Sequence, residues 1–331
     1  MNKTKVLITG CAGLFGSHFS KYLLDKGYNV LGIDDLSGGY IENIDERVRF
    51  FTFNLLDLNI LNKIFESEKP DYVYHFAAYA AEGLSPYIRN FNYSNNVLCS
   101  ANVINCCINH KVKKLVFTSS MAVYGESAPP YTEDHIPLPE DPYGIAKYAI
   151  ELDLKQAYRH FGLHYSIVRP HNVHGIYQNI WDKYRNVLGI WIRQALKNEN
   201  LTVYGDGQQT RAFSDMMYYC EPMEKLMKDF NGEIFNLGSD TYHSIKEAAG
   251  IVKNIVNRNG HHVDIDYLEP RFEVKDAYCN HSKAIRLLDF KDSTELELLV
   301  GKMYDWAKDI KPKEIKIMEY EIKKNLYSYW K

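Results

Sequence analysis

The chain has 331 residues, 46% hydrophobic and 24% charged, a balance that fits a soluble globular protein with core enough for two domains. A net charge of −3 gives no electrostatic basis for binding nucleic acid or an anionic membrane. Met1 to Lys5 leads straight into a short apolar strand, not a signal peptide, no run is long enough to span a bilayer, and six cysteines without Cys-x-x-Cys spacing read as reduced thiols. A cytoplasmic protein without a metal site is expected.

In chain order, Lys5–Thr9 is a strand that runs into Gly10-Cys11-Ala12-Gly13-Leu14-Phe15-Gly16, after which helical periodicity begins. Strand, glycine turn and helix leave backbone N–H groups free at a helix N-terminus, where a pyrophosphate can sit. The spacing is G-x-x-G-x-x-G, one residue wider than the ordinary dinucleotide fingerprint. A second strand ends in Asp34-Asp35, placed to bond an adenosine 2′-hydroxyl and to repel a 2′-phosphate, which favours NAD over NADP. Further strands are expected at Val48–Phe53, Asp71–Ala78, Leu115–Thr118 and Tyr165–Arg169, with helices over Asn59–Glu68, Asn92–Asn109 and Lys147–Phe161. This alternation predicts an α/β fold: a Rossmann-type, doubly wound parallel sheet with its ligand crevice at the strand C-terminal ends.

The stretch Thr118 to Lys147 carries the chemistry. A buried strand delivers Ser119 and Ser120, a proline-rich loop follows, and Tyr143 and Lys147 open a helix at i and i+4, so both project from one face. An unperturbed tyrosine titrates near ~10, and an adjacent ammonium is expected to lower that value, making a base that Ser120 assists by bonding a substrate hydroxyl. Tyr-x-x-x-Lys alone is weak in a chain with 26 tyrosines; the upstream serines and glycine turn give it weight.

With these motifs together, the sequence resembles the extended short-chain dehydrogenase/reductases, in their NAD-dependent nucleotide-sugar epimerase/dehydratase branch. The resemblance spans nearly the whole chain and assigns Ser120, Tyr143 and Lys147 to catalysis. It implies cofactor contacts from Gly10, Gly13, Leu14, Phe15, Gly16, Asp34, Asp35, Asn54, Leu55, Phe76, Ala77, Ala78 and Asn96, besides Tyr143 and Lys147. It implies substrate contacts from Glu82, Ser119, Ser120, Asn172, Asn186, Val187, Tyr204, Arg211 and Arg271. Arginine forks suit the oxygens of a nucleoside diphosphate, and Tyr204 or Phe213 is an aromatic face for a base. His171 and His174 read as pocket lining, and the charge-rich end from Lys311 to Lys331 as solvated surface. The implied domains are 1–172 for NAD, with elements near 213–250 returning to it, and 173–212 plus 251–331 for the nucleotide sugar. The resemblance also implies a homodimer through the helices at Asn92–Asn109 and Lys147–Phe161.

Met121 and Ala122 stand where the family's 4,6-dehydratases carry an acid and a base, which disfavours dehydration. The segment Ala80–Ser85 looks more like the branch serving GDP-linked sugars of capsule and surface polysaccharide, including GDP-manno-heptose C4 dehydrogenases. The expectation is therefore C4 oxidation of a GDP-heptose or related GDP-sugar. A UDP-glucose-type 4-epimerase is the alternative, and a non-catalytic NAD-binding scaffold the reading of another class. Asn54 in place of the family's adenine-side Asp, and Asp215-Met216-Met217-Tyr218 in place of Tyr-x-Asp-Asp, are departures that touch the cofactor pocket and a local helix start.

Overall fold

The computed structural model describes residues 3–271 and 273–330; Met1 and Lys331, named above, and Phe272 next to Arg271 lie outside that range. Seven parallel strands form one sheet. In chain order these are β1 (Lys5–Thr9), β2 (Asn29–Asp34), β3 (Arg49–Thr52), β4 (Tyr72–His75), β5 (Lys114–Thr118), β6 (Tyr165–Pro170) and a last strand, Ile234–Leu237. Across the sheet the order is Ile234–Leu237, β6, β5, β4, β1, β2, β3. The order reverses between β1 and β4, so the crevice of a doubly wound sheet opens at their C-terminal ends.

Both faces of the sheet are covered, and the strands are apolar on both faces for that reason. Val6 and Ile8 of β1 point into one core with Phe19, Leu23, Tyr74 and Phe235. Leu7, between them, points into the other with Leu61, Phe65, Val103, Leu115 and Leu154. That alternation follows from the period-two geometry of a strand, and each such side chain contributes about 1.5–3 kcal/mol when buried. A third core, around Trp191, Ile192, Val252 and Val300, lies in the lobe beyond the strand C-terminal ends. The helix Ile245–Arg258 packs there through Ile245, Ala248 and Ala249, although its start falls in the stretch expected to return to the first domain.

Two elements differ from expectation. The helix expected at Asn92–Asn109 is a run from Arg89 to Asn109 with a π-helical turn at Ser94–Leu98, which changes the direction of the asparagines within it. The terminal segment is not simply solvated. Met318, Leu326 and Trp330 are buried against Tyr79, Leu84 and Ile88, and the Glu321 carboxylate accepts from the backbone N–H groups of Asn90 and Phe91 at 2.7 and 2.8 Å. No helix among the described residues is long and apolar enough to cross a membrane.

Candidate active site

One long cleft crosses the C-terminal edge of the sheet and continues into the second lobe. At one end it is lined by Gly10, Gly13, Leu14, Phe15, Asp34, Asp35, Asn54, Leu55, Phe76, Ala77 and Ala78; Glu82, Ser120, Tyr143, Lys147 and Asn172 lie midway. Asn186, Val187, Tyr204, Arg211 and Arg271 line the far end.

The glycine turn is built for close approach. Gly10 has φ +70, and a Cβ there would lie 2.7 Å from the Ala77 nitrogen; a Cβ on Gly16 would lie 2.2 Å from the Gly10 oxygen. Gly16 therefore supports the turn from behind and does not line the cleft. Helix α1 (Leu14–Asp25) starts at Gly13 without a side-chain cap, leaving N–H groups for an anion. Asp34 accepts from Ala12 N at 2.9 Å and Leu36 N at 2.8 Å, and burial pushes its carboxyl above the ordinary value. Asn54 donates to Asp35 at 2.7 Å, where an aspartate would oppose two carboxylates. That pairing accounts for the carboxamide. Uncapped helix, close-approach glycine and acidic strand end fit the adenosine and pyrophosphate of NAD.

Asn96 is placed otherwise than expected. Its carboxamide donates to Tyr79 O and Asn92 Oδ1 and accepts from Tyr79 N, so it holds the chain beside the cleft and offers the cofactor nothing; Asn95 lines the cleft instead. The π turn produces this, and side-chain periodicity does not reveal it.

The helix that carries Tyr143 and Lys147, Pro142–Phe161, starts with Asp141 accepting from Tyr143 N and Gly144 N at 2.8 and 3.0 Å and with proline in its first turn. Aspartate before proline was a readable start signal, and Asp141, which also lines the cleft, is a site residue that sequence reasoning missed. Ser120 follows β5, accepts from Ala122 N at 3.1 Å and lines the cleft with Tyr143. Lys147 is buried, donates to Thr118 O at 2.8 Å, and lies 5.8 Å from the centre of the Tyr143 ring. Ser119 also lines the cleft, with its hydroxyl donating to Glu151 at 2.5 Å.

The electrostatics correct the sequence reading. Tyr143 is pushed above its ordinary value, first by burial and then by the Glu82 carboxylate, with the Ser120 hydroxyl opposing and Asp141 adding to the rise. Lys147 is lowered to about 7 by burial, with Glu151 one turn on opposing the fall. The protein alone therefore does not produce a lysine-lowered phenolate. Asn172, at φ +42, leaves its buried Nδ2 without a partner, as does Thr118 its Oγ1; both line the cleft and are donors for a ligand.

At the far end, the helix Val187–Leu196 begins at Asn186 without a side-chain cap, a second anion-ready terminus. Arg271 and Arg211 share Glu273, at 3.5 and 3.1 Å. Arg211 also donates to the carbonyls of Thr210, Val274 and Lys275, which makes it a brace as much as a free clamp. Tyr204 has Arg271 over its ring at 4.5 Å and Tyr329 at 4.4 Å, so its faces are already engaged. His174 lines the cleft, whereas His171 is turned away onto His281, Nε2 to Nε2 at 2.6 Å. Asp215 caps the turn after it by accepting from Met217 N at 3.0 Å, so the altered motif leaves the local start intact.

Residues 6–238 match the model of the NAD dependent epimerase/dehydratase family. A UDP-glucose 4-epimerase of Halalkalibacterium halodurans is 30% identical, over 92% of this chain and 96% of its own. The crystal structure of a UDP-glucose 4-epimerase of Thermotoga maritima with UDP-glucose superposes with a TM-score of 0.87 at 29% identity, covering 92% of this chain and 99% of its own. A UDP-glucuronic acid 4-epimerase of Bacillus cereus, crystallised with UDP-glucuronic acid and NAD, gives 0.82 at 27%, with coverage of 92% and 99%. The chain belongs to the NAD-dependent epimerase/dehydratase family of short-chain dehydrogenase/reductase enzymes, with NAD as its cofactor.

Proposed function

We propose that the protein is a 4-epimerase of a nucleotide-diphosphate sugar, with a UDP-sugar as substrate. The observation that carries this reading is the single cleft joining the glycine turn, Ser120, Tyr143 and Lys147 to the uncapped Asn186–Val187 terminus and Arg271. The relatives above are named for UDP-sugars and 4-epimerisation. None of those three names a GDP-sugar or a heptose, so the expected GDP-heptose oxidation gives way to the epimerase alternative. Met121 and Ala122 offer no proton to a C6 leaving group, which argues against dehydration.

Bound NAD would supply a hydride acceptor for the sugar C4 and a positive charge in the cleft. Around it, Ser120 aligns the C4 hydroxyl and Tyr143 takes its proton at Oη. Lys147, anchored on Thr118 O, holds its ammonium on the Tyr143 face of the helix, and Glu151 keeps it from losing its proton more readily. Asn172 Nδ2 and the Asn186 terminus hold the substrate while the keto sugar turns. Ile145 and Leu152, seven residues apart on the catalytic helix, and Leu98 nearby are 43%, 47% and 52% exposed, which supports a homodimer through these helices.

The test is incubation of purified protein with UDP-glucose, UDP-galactose, UDP-N-acetylglucosamine and GDP-mannose, following reduced nicotinamide absorbance and product by NMR. Conversion to the C4 epimer at constant absorbance is expected. Net reduced nicotinamide with a keto sugar would replace the epimerase by a dehydrogenase, and bound NAD without turnover would leave a scaffold.

A further inference from the structure

The middle of the cleft is rich in carboxylates. Glu82, Glu140 and Asp141 all line it beside Tyr143. Glu82 opens the 3-10 turn Glu82–Tyr87, and that turn is fixed to the catalytic helix. Ser85 donates to the Glu82 carbonyl at 2.8 Å and to Asp141 Oδ1 at 3.2 Å, and Tyr143 N donates to Ser85 Oγ at 3.2 Å and to Asp141 at 2.8 Å. This bracket ties the Glu82 backbone to the first turn of the helix, and after burial the Glu82 carboxylate is the charge that most raises Tyr143.

The cations around it are largely committed. Arg211 and Arg271, both felt by Glu82, share Glu273; Arg185 is paired with the buried Asp182 at 3.0 Å; Lys147 is anchored on Thr118. Lys183 lines the cleft with its ammonium 5.2 Å from the centre of the Tyr184 ring. The Glu82 side of the cleft beside Tyr143 therefore presents carboxylates, while Lys147 lies on the helix side. C6 is two bonds from C4, so a substituent there lies within reach of the same carboxylates. A C6 hydroxymethyl group can donate to Glu82, whereas a C6 carboxylate brings only acceptors and a like charge.

We propose that Glu82 is a charge filter that admits sugars with an uncharged C6 and rejects uronates. The proposal rests on the nucleotide-sugar reading above and deepens it, since family membership leaves both classes open: the Bacillus cereus relative is a UDP-glucuronic acid 4-epimerase. Like-charge exclusion is a common way for a site to refuse one of two near-identical ligands. The filter is also pH-dependent. Burial in the cleft, then Asp141 and Glu273, raise the Glu82 carboxyl above its ordinary value against Arg211 and Arg271, while the residue stays partly exposed to solvent. It is more nearly neutral at pH 6 and charged at pH 8.5, while the uronate carboxyl stays ionised throughout.

The experiment compares kcat/KM for UDP-glucose and UDP-glucuronate in the NAD-loaded wild type and in Glu82→Gln, from pH 6 to 8.5. The filter predicts that the wild type prefers UDP-glucose, that the preference grows as pH rises from 6 to 8.5, and that it falls roughly tenfold or more in Glu82→Gln and loses its pH dependence. Equal use of both sugars by the wild type, or an unchanged ratio in the variant, would overturn it. Calorimetric binding of both nucleotide sugars to NAD-loaded Tyr143→Phe, at pH 6 and 8.5, reads the filter without turnover. Failure of the epimerase reading with the filter intact would then show as discrimination in binding without product. Equal affinities at pH 8.5 would overturn the filter even where turnover of UDP-glucose stands.

Discussion

Behind the catalytic helix, Glu151 and Arg169 form a buried ion pair, 4% and 2% exposed, with Arg169 Nε and Nη2 donating at 2.9 and 2.6 Å. Glu151 also accepts from Ser119 and is the charge that opposes the fall of Lys147. Glu151→Ala strands a buried guanidinium, which costs about 3–5 kcal/mol. With roughly 2–4 °C per kcal/mol for domains approaching this size, Tm should fall by roughly 6–20 °C. Urea unfolding measures the difference directly. The double variant Glu151→Leu/Arg169→Met removes both charges together, and replacing a whole buried pair by apolar groups is often close to neutral, so it should regain at least half the loss. A single-variant cost below about 1 kcal/mol, or a double variant no more stable than the single, would refute the claim that the charges compensate each other.

His75 is buried between Thr9 and Ser100, and burial, then Lys147, lowers it to about 3. Its unfolded form binds the proton first, so its contribution is present above pH ~6.5 and lost as pH falls towards 3, at up to about 1.4 kcal/mol per pH unit. Urea unfolding at pH 7, 6 and 5 should show a steeper slope for wild type than for His75→Gln; equal slopes would contradict this. Gly10→Ala combines an unfavourable φ of +70 with a Cβ 2.7 Å from Ala77 N, so the purified variant should lose both stability and bound NAD; wild-type NAD content after extraction would refute it. Removal of residues 311–331 uncovers Tyr79, Leu84 and Ile88 and strips Tyr329 from Tyr204, so Tm should fall and KM for the nucleotide sugar should rise more than kcat falls. Unchanged KM would separate that segment from the substrate site.

The motifs legible in the sequence are those whose geometry is local. Strand, glycine turn and helix position Gly10 and Gly13 within a few residues, and an i, i+4 step puts Tyr143 and Lys147 on one face. Residues whose roles depend on distant partners were misread. Asn96 is saturated by Tyr79 and Asn92 across a π turn. The two arginines expected to clamp phosphate share Glu273, and the phenol expected to be lowered by Lys147 is raised by burial and Glu82. Such pairings follow from the tertiary fold, and the spacing of residue types does not encode them. The terminal segment was misread for a related reason: its charges are conspicuous, while its buried Met318, Leu326 and Trp330 follow no helical or strand period.

In the proposed epimerisation Ser120, Tyr143, Lys147 and NAD act on the one carbon C4. Turnover of C4-deuterated UDP-galactose in ordinary water reads this out. UDP-glucose that keeps its deuterium at C4 is expected, with Tyr143→Phe still holding NAD but converting at least a hundredfold more slowly, roughly the scale of a lost acid–base group. Deuterium washed out to solvent, or a Tyr143→Phe enzyme of undiminished rate, would contradict it.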